Sequence, residues 1–240
     1  MFSYIAYFFM HPLPELINAG HELPASISYA TINITKTVFE EETDLLCNQA
    51  NYVTNKCIEA GIKYNIKPEQ EFDINKLLAL SAFDDLILAD ANQTAGDYES
   101  NNLLANAQCP VYLISNEVNK IENIILTYDG SLSSIQAIKK FSQLFPAMLH
   151  LPCHLVQVVP DENDEFLREK NIRCWLPPLF NNVEFKILYG DPKSELVNYI
   201  NEVPNSLAVL GSAKNKFSGI SHKRIIHAVI DNCRSDIFVA

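Results

Sequence analysis

Three short turns in the second half of this chain carry residues that could do chemistry, and each follows an apolar or alternating run. Asp129-Gly130-Ser131 comes after Ile124 to Thr127, Gly190-Asp191-Pro192 after Val183 to Ile187, and Gly211-Ser212 after Leu207 to Leu210. A glycine at a strand end lets backbone amides approach an anion with no Cβ in the way. A helix beginning just beyond adds unpaired N–H groups and the positive end of its dipole. Asp129 and Asp191 suit the same places differently, because a side-chain oxygen can cap the next helix. Pro192 then fits the first helical position, where no amide hydrogen is needed.

Other clusters are less productive. Lys214, Lys216, His222, Lys223 and Arg224 form a dense basic stretch in an acidic chain. They could hold a phosphate in place of glycine amides. The more ordinary arrangement is a solvated loop and an exposed helix face. His150, Cys153 and His154 crowd three metal-ligand side chains together, but no second cluster completes a tetrahedral set. With Pro152 among them, a loop entering a buried strand is the simpler reading. Ser131 lacks the Gly-x-Ser-x-Gly elbow of a nucleophile. A phosphoacceptor role for Asp129 would want further acids at the end of its strand, and Glu122 lies before it. Glu40, Glu41, Glu42 and Asp44 sit at a helix start, where carboxylates complement the dipole. No base, nucleophile or metal set assembles, so an enzyme is not expected.

Composition narrows the partners. Acids outnumber Lys and Arg by 29 to 18, giving a net charge of −11. Such a surface neither neutralises a nucleic-acid backbone nor adheres to an anionic membrane. The six cysteines show no CxxC spacing, so they read as free thiols, most of them in apolar runs. That favours the cytoplasm. The apolar start, Phe2 to Met10, lacks a basic flank and a cleavage site and is too short to span a bilayer. It reads as a buried strand.

The positioning elements are clearest after Glu122. A helix with Ile135, Ile138, Phe141 and Leu144 or Phe145 on one face comes after the first strand. Leu155 to Val159 is a buried strand, and residues 161–180 are an irregular helical segment broken at Pro177-Pro178. Val183, Phe185 and Ile187 alternate with polar residues as a half-exposed edge strand would. A helix with Leu196, Val197 and Ile200 inward, the run Leu207 to Leu210, a helix bearing Ile225, Ile226, Val229 and Ile230, and Ile237 to Val239 complete the pattern. Solid apolar strands alternating with helices imply a parallel sheet covered on both faces.

The later part of this pattern recurs about 120 residues earlier. A helix with Leu46, Ala50, Val53 and Cys57 inward ends near Gly61, and a short strand runs from Ile62 to Ile66. The helix around Leu77, Leu78 and Ala82 leads into Leu86 to Ala89, which answers Leu207 to Leu210. Cys109 to Ile114 answers Ile237 to Val239. Phe2 to Met10 fits the second strand of the unit, leaving the first half without a first strand and first helix. A polar junction at 116–121 separates domains at 1–118 and 119–240.

In the order and spacing of these features the chain resembles the universal stress protein family, specifically members with two fused domains. The likeness covers nearly all of 122–240 and, more faintly, 1–118. It implies an α/β fold of two tandem domains of the adenine nucleotide α-hydrolase-like kind. Each has a parallel five-stranded sheet of order 3-2-1-4-5 with helices on both faces. Family members dimerise through the last strand, so the resemblance implies a pseudo-dimer within the chain, a homodimer, or both. Some bind ATP: the acid after the first strand contacts adenine or ribose, and a Gly-x-x-Gly-x9-Gly-Ser/Thr loop after the fourth wraps the phosphates.

Carried over residue by residue, Asp129 supplies the acid and Gly211, next to Ser212, the first loop glycine. Lys214 stands where the second glycine belongs. The final Gly-Ser pair falls on Arg224-Ile225, so Gly219 and Ser221 substitute only after a deletion in the loop. Adenine would sit between Thr127 to Asp129 and the end of the next strand, near Val158. In the first half Asp90 replaces the first glycine and would repel phosphate. Two functions are therefore expected: a stress-response or regulatory protein acting through contacts with a protein partner, or a sensor binding ATP or AMP, with Mg²⁺, in the second domain alone. For Asp129 itself, a nucleotide contact and a helix cap remain equally open and compatible.

Overall fold

The apolar runs after Glu122 become a parallel sheet whose middle strands are buried on both faces. A computed structural model describes residues 5–9, 29–35, 51–52, 54–59, 61, 63–69, 74–91, 98–115, 120–161, 169–212 and 220–240. The chain divides into two units, Met1–Asn116 and Glu117–Ala240.

In the second unit the strands are β6 (Asn123–Thr127), β7 (Pro152–Val159), β8 (Asn182–Tyr189), β9 (Ser206–Leu210) and β10 (Asp236–Val239). They lie in the order β10-β9-β6-β7-β8, and every neighbouring pair is parallel. Read from β8, that is order 3-2-1-4-5 within the unit. Ile124, Ile125 and Leu126 of β6 and all of β9 are buried, which is why their sequences are solid apolar runs instead of alternating ones. β8 holds the end of the order and has no buried residue, as its alternating sequence requires.

Helices cover both faces. α3 (Leu132–Leu144) turns Ser133, Ser134, Ala137, Ile138 and Phe141 inward. Phe141 stacks on Phe145 and Phe180 and meets the edge of Phe238, so one aromatic cluster joins α3 to β10. α4 (Glu169–Trp175) sets Arg173 over the Phe185 ring of β8. α5 (Pro192–Glu202) bonds its Tyr199 hydroxyl to His154, whose strand neighbour is Glu184 of β8. Successive residues of a strand face opposite ways, so α4 and α5 lie on opposite faces. α6 (Ile220–Asn232) packs beside α5, where the Asn201 amide donates to the Asn232 carbonyl oxygen.

Asp191 caps α5 as its sequence suggests, accepting from the Ser194 amide at 3.0 Å with Pro192 at the helix start. That bond holds its carboxyl below the usual range. Gly190 before it has φ +132°, a conformation that suits glycine.

The first unit corrects one expectation. Its strands are β1 (Ile5–Phe9), β2 (Tyr29–Thr35), β3 (Lys63–Glu69), β4 (Ile87–Asp90) and β5 (Val111–Ile114), in the order β3-β2-β1-β4-β5. The first strand is therefore present, and it is the apolar start of the chain. β1 pairs with β2 from Ile5↔Tyr29 to Phe9↔Asn33 and with β4 at Phe8↔Leu88. The physical reason for the misreading is that an apolar run shows that a strand is buried, not which strands flank it. Its place as first strand comes from pairing on both sides, and it fills the centre that would otherwise be a costly gap. The missing first helix concerns residues 10–28, which lie outside the described residues.

α1 (Ile74–Leu80) and α2 (Tyr98–Asn106) complete the labelled elements, with Leu77, Leu103 and Leu104 buried. The Ser81 hydroxyl donates to the Leu78 carbonyl oxygen at 2.7 Å and accepts from the Gln108 amide at 2.9 Å, fastening the end of α1 to the approach to β5. Among the described cysteines, Cys57, Cys109 and Cys153 are buried free thiols. No described helix is long and apolar enough to cross a membrane.

Candidate functional site

β6 and β9 are neighbours in the sheet, and the turns at their C-terminal ends meet. β6 leads through Tyr128, Asp129 and Gly130 into α3. Gly130 takes φ +75°, which reverses the chain so that α3 can start at once. The exposed Asp129 accepts from the Ser131 amide at 2.9 Å, and Ser131 caps α3 by accepting from the Ser134 amide at 3.1 Å. The cap of this helix is thus Ser131, and Asp129 shapes the turn before it. Thr127 donates its hydroxyl to the Val209 carbonyl oxygen at 3.0 Å, which ties the end of β6 to β9.

Gly211 then carries the contact that shapes the site. A Cβ built on it would lie 2.6 Å from Ser133 Oγ and 2.7 Å from both the Ser133 carbonyl carbon and the Ser134 nitrogen. The first turn of α3 therefore rests on the bare backbone of Gly211. Buried Ser133 donates to the Ser212 carbonyl oxygen at 2.6 Å, and the Ser212 amide donates to the Ala240 carbonyl oxygen at 2.6 Å. The space left by the missing side chain of Gly211 and the amide of Ser212 are both taken by the protein.

Two solved structures share this architecture along nearly their whole length. A universal stress protein from Archaeoglobus fulgidus superposes with a TM-score of 0.65 at 17% identity, covering 98% of this chain and 95% of that one. A candidate universal stress protein from Pseudomonas aeruginosa superposes with a TM-score of 0.63 at 11% identity, covering 99% and 92%. The fold is that of the universal stress proteins. The sequence itself matches no family model and no curated protein.

Within the universal stress protein fold, the predicted site residues separate into three groups. Thr127, Asp129, Gly211 and Ser212 come together around the start of α3. Val158 is half-buried on β7 and in register with Leu188. It lies beyond Thr127↔Val156, the last β6–β7 pair, so it is not part of the Gly211 contact. Lys214 and Gly219 lie outside the described residues. Ser221 falls in α6, but its side chain lies outside them, as do those of His222, Lys223 and Arg224.

Ser133 is the residue that sequence reasoning missed. It stands in a run of small polar residues at a helix start, where serines normally read as caps. The available signal was its position on the inward face, one turn before Ala137.

The second cluster, around His150, Cys153 and His154, resolves into separate environments. Cys153 is buried in β7, and burial pushes its thiol up to about 12. His154 faces the other side, where its Nδ1 meets the Tyr199 hydroxyl at 2.8 Å. Burial lowers the His154 pKa, with Glu184 opposing and Lys186 adding to that effect. His150 is exposed in the turn before β7.

Proposed function

We propose that this chain is a non-enzymatic regulatory protein of the stress-response type, acting in the cytoplasm through contacts with a protein partner, with its nucleotide site weakened or lost. The observation that carries this reading is the seating of α3 on Gly211. The place that a loop glycine keeps open for a bound anion is filled by Ser133 and Ser134. The commitment of the Ser212 amide to Ala240 points the same way, since it withdraws a donor from the strand end. Lys214 in place of a loop glycine, and Asp90 at the matching place in the first unit, add to it.

The second reading is a sensor that takes ATP or AMP, with Mg²⁺, in the second unit only. Its supporting observation is Asp129, which stays exposed at the strand end. There it could meet a ribose or adenine placed near Thr127 and Val158, with Lys214, Gly219 and Ser221 around the phosphates.

Calorimetric titration with ATP, ADP and AMP, with and without Mg²⁺, separates the two. The first reading expects no heat and no thermal shift at millimolar nucleotide. Micromolar binding at one site per chain overturns it in favour of the sensor.

A further inference from the structure

β8 is an eight-residue strand running without proline, glycine or bulge, in unbroken register with β7 from Pro152↔Asn182 to Val159↔Tyr189. No other described strand pairs with it. A long, regular strand at the end of a sheet offers a row of backbone donors and acceptors to another chain. Natural edges are usually blunted by charge, by proline or by a bulge. β8 has only its charges, Glu184 and Lys186, which bond to each other at 2.6 Å. It also exposes apolar surface: Tyr189 is 45% exposed, and Val183, Phe185, Ile187 and Leu188 are half-buried.

The order of these residues is close to a palindrome about Phe185. Laid antiparallel against a second copy of itself with Phe185 opposite Phe185, β8 sets Glu184 against Lys186, Lys186 against Glu184, and Val183 against Ile187. These central pairs are favourable, aromatic with aromatic, aliphatic with aliphatic and acid with base, while Asn182 faces Leu188 toward the ends. A two-fold axis through Phe185 perpendicular to the sheet produces all of them at once, which is the self-complementarity an isologous dimer needs. The charges that would repel an arbitrary strand become matched here. Register would be set by them, since a shift of two residues on one strand puts Lys186 opposite itself or Glu184 opposite itself.

We infer that β8 is a self-recognition edge, and that a second copy of this chain adds to it antiparallel about Phe185. This surface is separate from the last strand, β10, whose residues are all buried. It also stands apart from the nucleotide question, so it survives either outcome of that titration.

Sedimentation equilibrium of the full chain over a wide concentration range tests it, with the charge variants alongside. Wild type should dimerise. Lys186→Glu alone should weaken the dimer by about tenfold or more, because the like-charge contact occurs twice by symmetry. Glu184→Lys alone should do the same. The double exchange, Glu184→Lys with Lys186→Glu, should restore wild-type affinity. Both positions are solvent-exposed or half-exposed, so the variants keep their fold. As a register check, Phe185→Cys should yield a covalent dimer on oxidation with diamide, mapped to position 185 by mass spectrometry. Facing Cα atoms in an antiparallel pair are about 4.5–5.5 Å apart, within disulfide reach. A monomer at all concentrations overturns the inference. So does a dimer indifferent to single charge reversal, or one that the double exchange fails to restore.

Discussion

β4 and β9 hold the same place in their respective units, the fourth strand in an order of 3-2-1-4-5, yet they end differently. β9 stops at Leu210, paired with Val239, and Gly211 comes next with the first turn of α3 seated on it. β4 runs through Asp90, which is still in register with Ile114. The same place in the topology thus carries an aspartate in one unit and a glycine in the other. What demands glycine in the second unit is a local event, the arrival of Ser133 and Ser134 against the backbone. A glycine at a strand end is thus ambiguous evidence for a ligand, because close packing asks for the same absence of Cβ.

The most severe way to break this comparison is Gly211→Asp, which gives the second unit the residue of the first. The added atoms meet backbone as well as Ser133 Oγ, so moving one side chain does not make room. Overpacking of this kind costs about 1–3 kcal/mol. Each kcal/mol should lower the melting temperature by about 2–4 °C in a protein of this size. An unchanged urea midpoint would mean that packing does not demand the glycine.

Ser133→Ala sharpens the comparison without adding any atom. It removes the 2.6 Å bond to the Ser212 carbonyl oxygen and leaves a buried acceptor unpaired, worth about 1–3 kcal/mol. Combined with Gly211→Ala, it should not restore stability, since the Ser133 carbonyl carbon and Ser134 nitrogen still lie 2.7 Å from the new Cβ. Rescue by the double change would place the whole conflict in the serine hydroxyl.

The smallest effect is a pH dependence on the other side of the sheet. Burial lowers the folded pKa of His154 from 6.5. Above pH 6.5 the imidazole is mostly neutral in both states and contributes no slope. Below it the unfolded chain takes up the proton first, so stability falls with falling pH until the folded pKa is passed. His154→Asn should flatten the stability profile across that window, and an NMR titration of the native protein should find His154 titrating below 6.5. A midpoint above 6.5 would reverse the sign and show that Glu184 outweighs burial.

Most of the second unit could be read in advance because its local signals agree. Asp191 and Pro192 announce a helix start, Val183 to Ile187 alternate as an edge strand does, and Leu207 to Leu210 form a solid buried run. The rest depended on partners remote in sequence. Nothing within Ile5 to Phe9 distinguishes a first strand from a second, since only pairing with both β2 and β4 does so. Gly211 could be recognised as special but not why, because the answer lies in Ser133. Val158 was legible as the end of its strand, and register places it there, past the last β6–β7 pair.

Ser133 and Ser212 are 79 residues apart, and this separation bears on the order of events as the chain folds. Closing so long a loop must be prepaid in entropy before the contact returns anything. The clasp between α3 and Gly211 is therefore expected to form late, after the folding barrier. Loosening it should leave the folding rate nearly untouched and appear as faster unfolding. The glycine that reads as a remnant of a binding loop acts, in kinetic terms, as a latch on the finished sheet.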